Sequence, residues 1–141
     1  IFMSRIKNNN APIVYEDGMQ TRNFVSVHDV ADANLMAMEK SAADYETFNV
    51  GSGKPIAIKN VAEVLAKLYG KDIHPNITHK FRKGDVRHCF ADISKIKSRL
   101  GFSPKISFEK GMKELMEWSK HAESIDKFEI AAEELKKHGL V

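Results

Sequence analysis

The sequence is poor in cysteine, proline and tryptophan, with one cysteine, four prolines and one tryptophan in 141 residues. The lone Cys89 cannot close an internal disulfide. That excludes a cross-linked secreted scaffold and leads us to expect a reducing, cytoplasmic setting. Long apolar runs are missing as well. None approaches the roughly 18 residues that a membrane-spanning helix needs. The opening stretch from Ile1 to Asn10 carries too many charged and amide side chains for a secretory leader. No membrane partner is therefore expected. Charge of one sign is scarce, since the formal net charge is only +3, so total charge gives no reason to expect a nucleic-acid partner. Internal repeats and low-complexity segments are absent. Two phosphate-binding signatures also fail. Gly51-Ser52-Gly53 lacks the third glycine of a dinucleotide-binding turn, and the helix after it starts late. Gly53-Lys54 has the end of a phosphate loop, but Pro55 stands where Ser or Thr is needed and Phe48 where the loop's first glycine belongs.

What is present is ordinary for a folded chain: 43% hydrophobic and 29% charged residues, enough for one domain with a core. Ile1, Phe2 and Ile6 have the spacing of the end of an amphipathic helix, so a preceding N-terminal part is expected to be absent, with Met3 the alternative start. Asn8-Asn9-Asn10-Ala11-Pro12 ends that helix. Ile13-Val14-Tyr15 and Asn23 to Val27 read as strands flanking the Glu16-Asp17-Gly18 turn, a plausible hairpin. A helix is expected from about His28 to Lys40, capped by Ser26 or His28-Asp29, with Ala31, Leu35 and Met38 on one face. Phe48-Asn49-Val50 reads as a short buried strand. The helix from about Asn60 to Tyr69 carries Val61, Val64, Leu65 and Leu68 in one stripe and stops at Gly70. Ile77 to Phe81 reads as a strand. Asp92 caps a helix bearing Ile93, Ile96 and Leu100 that ends at Gly101. Ser107 caps another, carrying Phe108, Met112, Leu115 and Met116, with Met112 and Trp118 in the core. A last helix places Ile125, Phe128, Ala132 and Leu135 on one side and ends at Gly139. The class is α/β, helix-rich with short strands, too few for a free-standing doubly wound sheet.

Lys80, Arg82, Lys83 and Arg87 surround one carboxylate, Asp85, with Gly84 permitting a tight turn. An arginine fork binds two phosphate oxygens at once, and a carboxylate accepts from sugar hydroxyls. The set therefore suits a nucleoside diphosphate. It equally suits a solvated basic loop with a local Asp85–Arg87 pair, the commoner fate of surface charge. Arg22, in a second loop, has the same two readings. Tyr15 either stacks on a base or is partly buried core. His74, His79 and His88 with Cys89 match no compact zinc spacing, so no metal is expected.

Four stretches carry a resemblance. Asp17-Gly18-Met19-Gln20-Thr21-Arg22-Asn23-Phe24-Val25 running to Asp29-Val30-Ala31, then Phe48-Asn49-Val50-Gly51-Ser52-Gly53, Arg82-Lys83-Gly84-Asp85-Val86-Arg87 with Ala91-Asp92, and Leu100-Gly101-Phe102-Ser103-Pro104 follow one another in a family's order. Together they resemble extended short-chain dehydrogenases acting on nucleotide sugars, over roughly residues 1 to 118. The branch most similar holds dTDP-rhamnose and UDP-hexose 4-epimerases. Residues 1–141 would then be the C-terminal substrate-binding lobe of an NAD-dependent epimerase or dehydratase, with residues 119–141 a C-terminal helical extension and the N-terminal Rossmann domain absent. The resemblance implies that Arg22 and Arg82 contact the diphosphate, that Asp85 bonds a ribose hydroxyl and that Tyr15 and Ile58 flank the base. It implies that Cys89 limits sugar size; otherwise Cys89 is a small buried hydrophobe. Asn23 departs from the family's usual Asp.

The family's Tyr-x-x-x-Lys pair is missing: four positions after Tyr15, Tyr45 and Tyr69 stand Met19, Asn49 and Ile73. The expected function is the nucleotide-sugar-binding part of a 4-epimerase, with a UDP- or dTDP-linked sugar as partner. NAD would be bound by the missing domain, and the full-length protein would be a homodimer. The chain alone is expected to be inactive. A 4,6-dehydratase or a decarboxylase of the same family is the nearest alternative. A non-catalytic interaction module or a nucleic-acid-binding module is the alternative from other classes. Phe81 and Phe90, the aromatics flanking the basic loop, are expected at strand or core positions, which weakens the nucleic-acid reading.

Overall fold

The computed structural model describes residues 1–140. In chain order the elements are α1 (Phe2–Lys7), β1 (Ile13–Val14), β2 (Thr21–Asn23), α2 (Val27–Glu39), a 3₁₀ turn (Ser41–Ala43), β3 (Pro55–Ala57), α3 (Ile58–Leu68), β4 (Asn76–Ile77), β5 (His88–Cys89), α4 (Ser94–Leu100), α5 (Phe108–Ser119) and α6 (Phe128–Lys137). The class is mixed α/β, rich in helix with strands of two or three residues. The chain divides into two units. The first comprises Ile1–Gln20, Ala57–Arg87 and the residues from Met112 onward; the second comprises Thr21–Ile56 and His88–Gly111.

In the first unit α3 supplies the core. Val61, Ala62, Leu65 and Ala66 are buried, α1 packs against α3, and Ile6 and Val14 are buried in the same unit. Each large aliphatic side chain removed from water contributes about 1.5–3 kcal/mol. The i, i+3, i+4 spacing read in the sequence is thus the buried face, although the helix begins two residues earlier than expected. β1 pairs in parallel with β4, Ile13 opposite Asn76 and Val14 opposite Ile77. The end of α5 and the segment after it are tied to α1 by polar contacts. Lys7 Nζ donates to Ser119 O (2.6 Å) and Ala122 O (2.8 Å), and Ser4 Oγ to Ile125 O (2.9 Å). Arg5 is buried, donates to Ala11 O (2.7 Å), pairs with Asp126 (3.3 Å) and Glu129 (3.1 Å), and lies 4.6 Å from the Phe128 ring centroid.

In the second unit Ala33, Ile96, Leu100 and Phe102 form the core, with Met36, Ala37, Phe48 and Val50 packed against it. Ser26 Oγ accepts from His28 N–H (3.3 Å) and caps α2; Asp92 Oδ1 accepts from Ser94 N–H (2.9 Å) at the start of α4. At the other end of α4, Lys40 Nζ donates to Leu100 O (2.5 Å), a cation on a helix C-terminus. Asp29 is buried and accepts from Lys105 N–H (2.9 Å) and Ile106 N–H (3.2 Å), so its charge is satisfied by backbone donors. β2 pairs in parallel with β5, Thr21 opposite His88 and Arg22 opposite Cys89, and the sheet order is β3-β2-β5.

Several expectations are corrected. β1 and β2 do not form a hairpin: each takes a parallel partner more than sixty residues downstream, in a different sheet. Residues 48–50 form no strand, and the strand expected over 77–81 is reduced to Asn76–Ile77. On α2 the face with Leu35 (55% exposed) and Met38 (83%) points to water; the buried face is Asp29 and Ala33. Trp118, Phe81 and Phe90 are exposed rather than core. Ile125 lies before α6 and is exposed.

Candidate functional site

The basic loop is anchored by backbone. Glu16 N–H donates to Lys80 O (2.9 Å), His79 N–H to Glu16 O (3.1 Å) and Lys83 N–H to Leu140 O (2.8 Å). The first two bonds extend the β1–β4 pairing and hold Lys80 beside the β1 turn, and the third ties Lys83 to the residue three past α6. Arg82 Nε and Nη2 converge on Asp85 Oδ2 at 2.9 and 2.8 Å. Asp85 thus pairs with Arg82, not with Arg87 as the local reading of the loop expected. The Arg82 guanidinium lies over the Tyr15 ring, 5.7 Å from its centroid. Tyr15, Arg82 and Asp85 are all partly exposed, so a donor–acceptor pair beside an aromatic face is open to a ligand.

Arg87 does different work. Its Nη1 meets Glu16 Oε2 at 2.6 Å and its Nη2 meets Asp17 Oδ2 at 2.7 Å. The Arg87 hydrogen bond, helped by the Met19 N–H, holds the Asp17 carboxyl down at about 2. The same bonds to Asp17 and Glu16 push the guanidinium of Arg87 up. Sequence reasoning missed this clamp because its partners stand 71 and 70 residues away. Ile58 is the first residue of α3, partly exposed, with its N–H donated to Gln20 O (2.9 Å). Gln20 Nε2 donates to Tyr15 O (2.9 Å), while its buried Oε1 has no protein partner.

The second unit holds the other two candidates. Arg22 and Cys89 are paired across β2 and β5, and both line a cleft of about 400 Å³ with Asn23, Asn49, Phe90 and Ala91. Arg22 Nη1 donates to Thr21 O (2.8 Å). Cys89 is exposed, which removes its reading as a buried hydrophobe. Asn23 Oδ1 accepts from Ser52 N–H (2.8 Å), and its buried Nδ2 has no protein partner. Gly51 packs so tightly here that a Cβ would lie 2.7 Å from Asn23 Oδ1 and 2.9 Å from Ala91 Cβ. That contact gives a physical reason for glycine in the Asn49-Val50-Gly51-Ser52-Gly53 stretch.

The structure therefore groups Tyr15, Arg82 and Asp85, places Ile58 in the same unit, and groups Arg22 with Cys89 in the other. Among the described residues no cluster of three or more His, Cys, Asp or Glu is arranged to hold a metal ion. His74 lies against Asp72 (3.6 Å), and His88 Nδ1 shares a hydrogen with Thr21 Oγ1 (2.9 Å). Nor is any helix of the described residues long and apolar enough to cross a membrane.

A family profile described as GDP-mannose 4,6 dehydratase matches residues 1–115. A dTDP-L-rhamnose 4-epimerase from Burkholderia thailandensis is 40% identical over 105 residues, covering 74% of this chain and 29% of that protein. The UDP-glucose 4-epimerase of Thermotoga maritima, solved with UDP-glucose, superposes with a TM-score of 0.76 at 37% identity, covering 84% of this chain and 38% of that one. A UDP-glucuronic acid 4-epimerase variant from Bacillus cereus, solved with UDP-4-deoxy-4-fluoro-glucuronic acid and NAD, superposes with a TM-score of 0.78 at 25% identity, covering 86% and 39%. The chain thus spans about a third of the length of these proteins.

Proposed function

The chain belongs to this family of nucleotide-sugar epimerases and dehydratases, and on that premise we propose that it is the nucleotide-sugar-binding part of an NAD-dependent 4-epimerase. The observation that carries the reading is the Arg82–Asp85 pair beside the Tyr15 ring, inside the stretch that the family profile matches. Arg82 supplies the planar donors that a diphosphate needs, and the family resemblance assigns the same role to Arg22. Asp85 gives Oδ2 to Arg82 and keeps Oδ1 for a ribose hydroxyl. Tyr15 and Ile58 flank the base, and the exposed Cys89 borders the sugar, where a small side chain leaves room. Hydride chemistry at C4 of the sugar would come from NAD bound outside these residues. The chain contains neither the Tyr-x-x-x-Lys pair nor a glycine-rich dinucleotide turn, so proton and hydride transfer fall to residues outside 1–141. The isolated chain therefore binds but does not epimerise.

Titration of the chain with UDP and dTDP, followed by NMR, tests this reading. Saturable binding is expected, weakened about tenfold or more by Arg82→Ala, since a charge-assisted hydrogen bond contributes about 1.5–3 kcal/mol. Binding indifferent to Arg82, or sugar interconversion by the 141-residue chain alone, contradicts it.

A further inference from the structure

Arg82 and Asp85 are the two ends of one tight turn. Asp85 N–H donates to Arg82 O (3.2 Å), and Gly84, in the third position, takes φ +88°. The corner before Gly84 is Lys83, whose N–H donates to Leu140 O (2.8 Å). Among the described residues this is the one main-chain hydrogen bond that joins residues 81–86 to another part of the chain. The turn is flanked by Lys80, whose carbonyl accepts from Glu16 N–H, and by Arg87, whose side chain meets Glu16 and Asp17. Both flanking holds run to the residues after β1. Leu140 ties the corner to α6 instead.

The carbonyl of Leu140 is itself fixed. α6 closes at His138, and the chain leaves it through Gly139 at φ +66°. Gly139 N–H donates to Lys136 O and Leu140 N–H to Leu135 O, both at 3.0 Å. These are the two bonds of a Schellman ending, which sets the direction of the chain after the helix. The start of α6 is pinned where Arg5 grips Asp126, Glu129 and the Phe128 ring. A continuous set of bonds thus runs from buried Arg5 through α6 and Gly139 to Lys83, the neighbour of Arg82.

The pair needs such a hold. The Arg82 and Asp85 side chains are 39% and 31% exposed. An ion pair open to water fixes its own geometry weakly, because solvent and side-chain entropy compete with it. Gly84 gives the turn the freest backbone of any residue type. The tie at Lys83 therefore decides where the two side chains point.

We propose that Gly139 and Leu140 are positioning residues for the Arg82–Asp85 pair, so that the end of α6 is a latch on the turn that carries it. The proposal rests on the nucleotide-sugar reading above for what the pair binds. It gives a part in that binding to a helix beyond residue 115, where the family profile ends. Coupling of this kind is reciprocal: a ligand that holds Arg82 and Asp85 also holds the latch closed.

Gly139→Val and Gly139→Asn test it. A Cβ on Gly139 meets nothing within 4 Å, so the substitutions act on φ rather than by collision at Cβ. Valine is strongly disfavoured at positive φ, and asparagine is tolerated there. In Gly139→Val, NMR should show Lys83 N–H exchanging about tenfold faster or more. The Arg82 Nε–H signal should move toward that of free arginine. Gly139→Asn should restore both most of the way. Asn76 N–H, bound to Pro12 O at 2.8 Å in the same unit, should keep its native exchange in all three chains. UDP affinity should fall about fivefold or more in Gly139→Val, the lower end of ordinary coupling between sites, and UDP should slow Lys83 N–H exchange in the native chain. The latch is overturned by an unmoved Arg82 Nε–H signal, by equal UDP affinity in the native and valine chains, or by Asn76 N–H accelerating together with Lys83 N–H. If the native chain binds no UDP, the nucleotide-sugar reading falls, and the latch stands or falls on the Arg82 Nε–H signal alone.

Discussion

Two arginines of the first unit each hold two carboxylates, and they differ in how far water reaches them. Arg5 has 8% of its side chain exposed, beside an Asp126 that is 9% exposed. Arg87 has 47% exposed, between a Glu16 at 15% and an Asp17 at 46%. Similar partners give different consequences. Removing a buried cation strands a desolvated carboxylate, whereas an exposed pair competes with water and salt. Arg5 is therefore a structural clasp that keeps α6 on α1. Arg87 is a screened tie that steadies the loop carrying Arg82 and Asp85.

Removing Arg5 should have the largest effect. Arg5→Ala is expected to cost about 3 kcal/mol, since it leaves Asp126 without its cation and Phe128 without its stacked partner. Chemical denaturation measures the loss, and a cost below that of an exposed pair would erase the distinction between the two arginines. Gly18→Ala comes next and asks what else fixes the turn that Arg87 grips. Gly18 has φ +80°, and a Cβ there would sit 2.9 Å from Lys59 Cβ and 3.3 Å from Val14 Cγ1. A cost of about 1–3 kcal/mol is expected, because strain and collision add. If the cost is nil, the clamp alone defines the turn.

The smallest effect concerns pH. Asp17 is held at about 2 by the Arg87 hydrogen bond, below its ordinary 3.8. A depressed carboxyl contributes stability above its unfolded value and loses it as pH falls through the folded one. Between pH of about 4 and 2 the native chain should therefore lose thermal stability more steeply than Asp17→Asn. Because both partners are well exposed, the difference should shrink in high salt. Parallel slopes in low salt would show that the tie carries no stability.

Much of the helical framework was legible. The stripe of α3, the Asp92 start of α4 and the Ser107 cap of α5, whose Oγ accepts from Lys110 N–H at 3.2 Å, follow from side chains close in sequence. The strands were not, because two or three residues carry no alternation, and β1 and β2 find β4 and β5 more than sixty residues away. The face of α2 was misread because its buried side holds Ala33 and a charged Asp29, a weaker apolar signal than exposed Leu35 and Met38. At the site, the residue types in the loop were readable but their pairing was not. Arg82 and Arg87 both stand within three residues of Asp85, and only the fold shows that Arg87 is engaged by Glu16 and Asp17.

The first unit is assembled from three separated stretches of chain, the last beginning at Met112, whereas every stretch of the second is complete by Gly111. A ribosome delivers residues in order, and domains tend to fold as their sequence emerges. The core of Ala33, Ile96, Leu100 and Phe102 can therefore close while translation is still under way. The partners of Arg5 arrive only at Asp126 and Glu129. Nascent chains stalled after Gly111 should show one protease-resistant kernel and leave α1 and α3 open to cleavage.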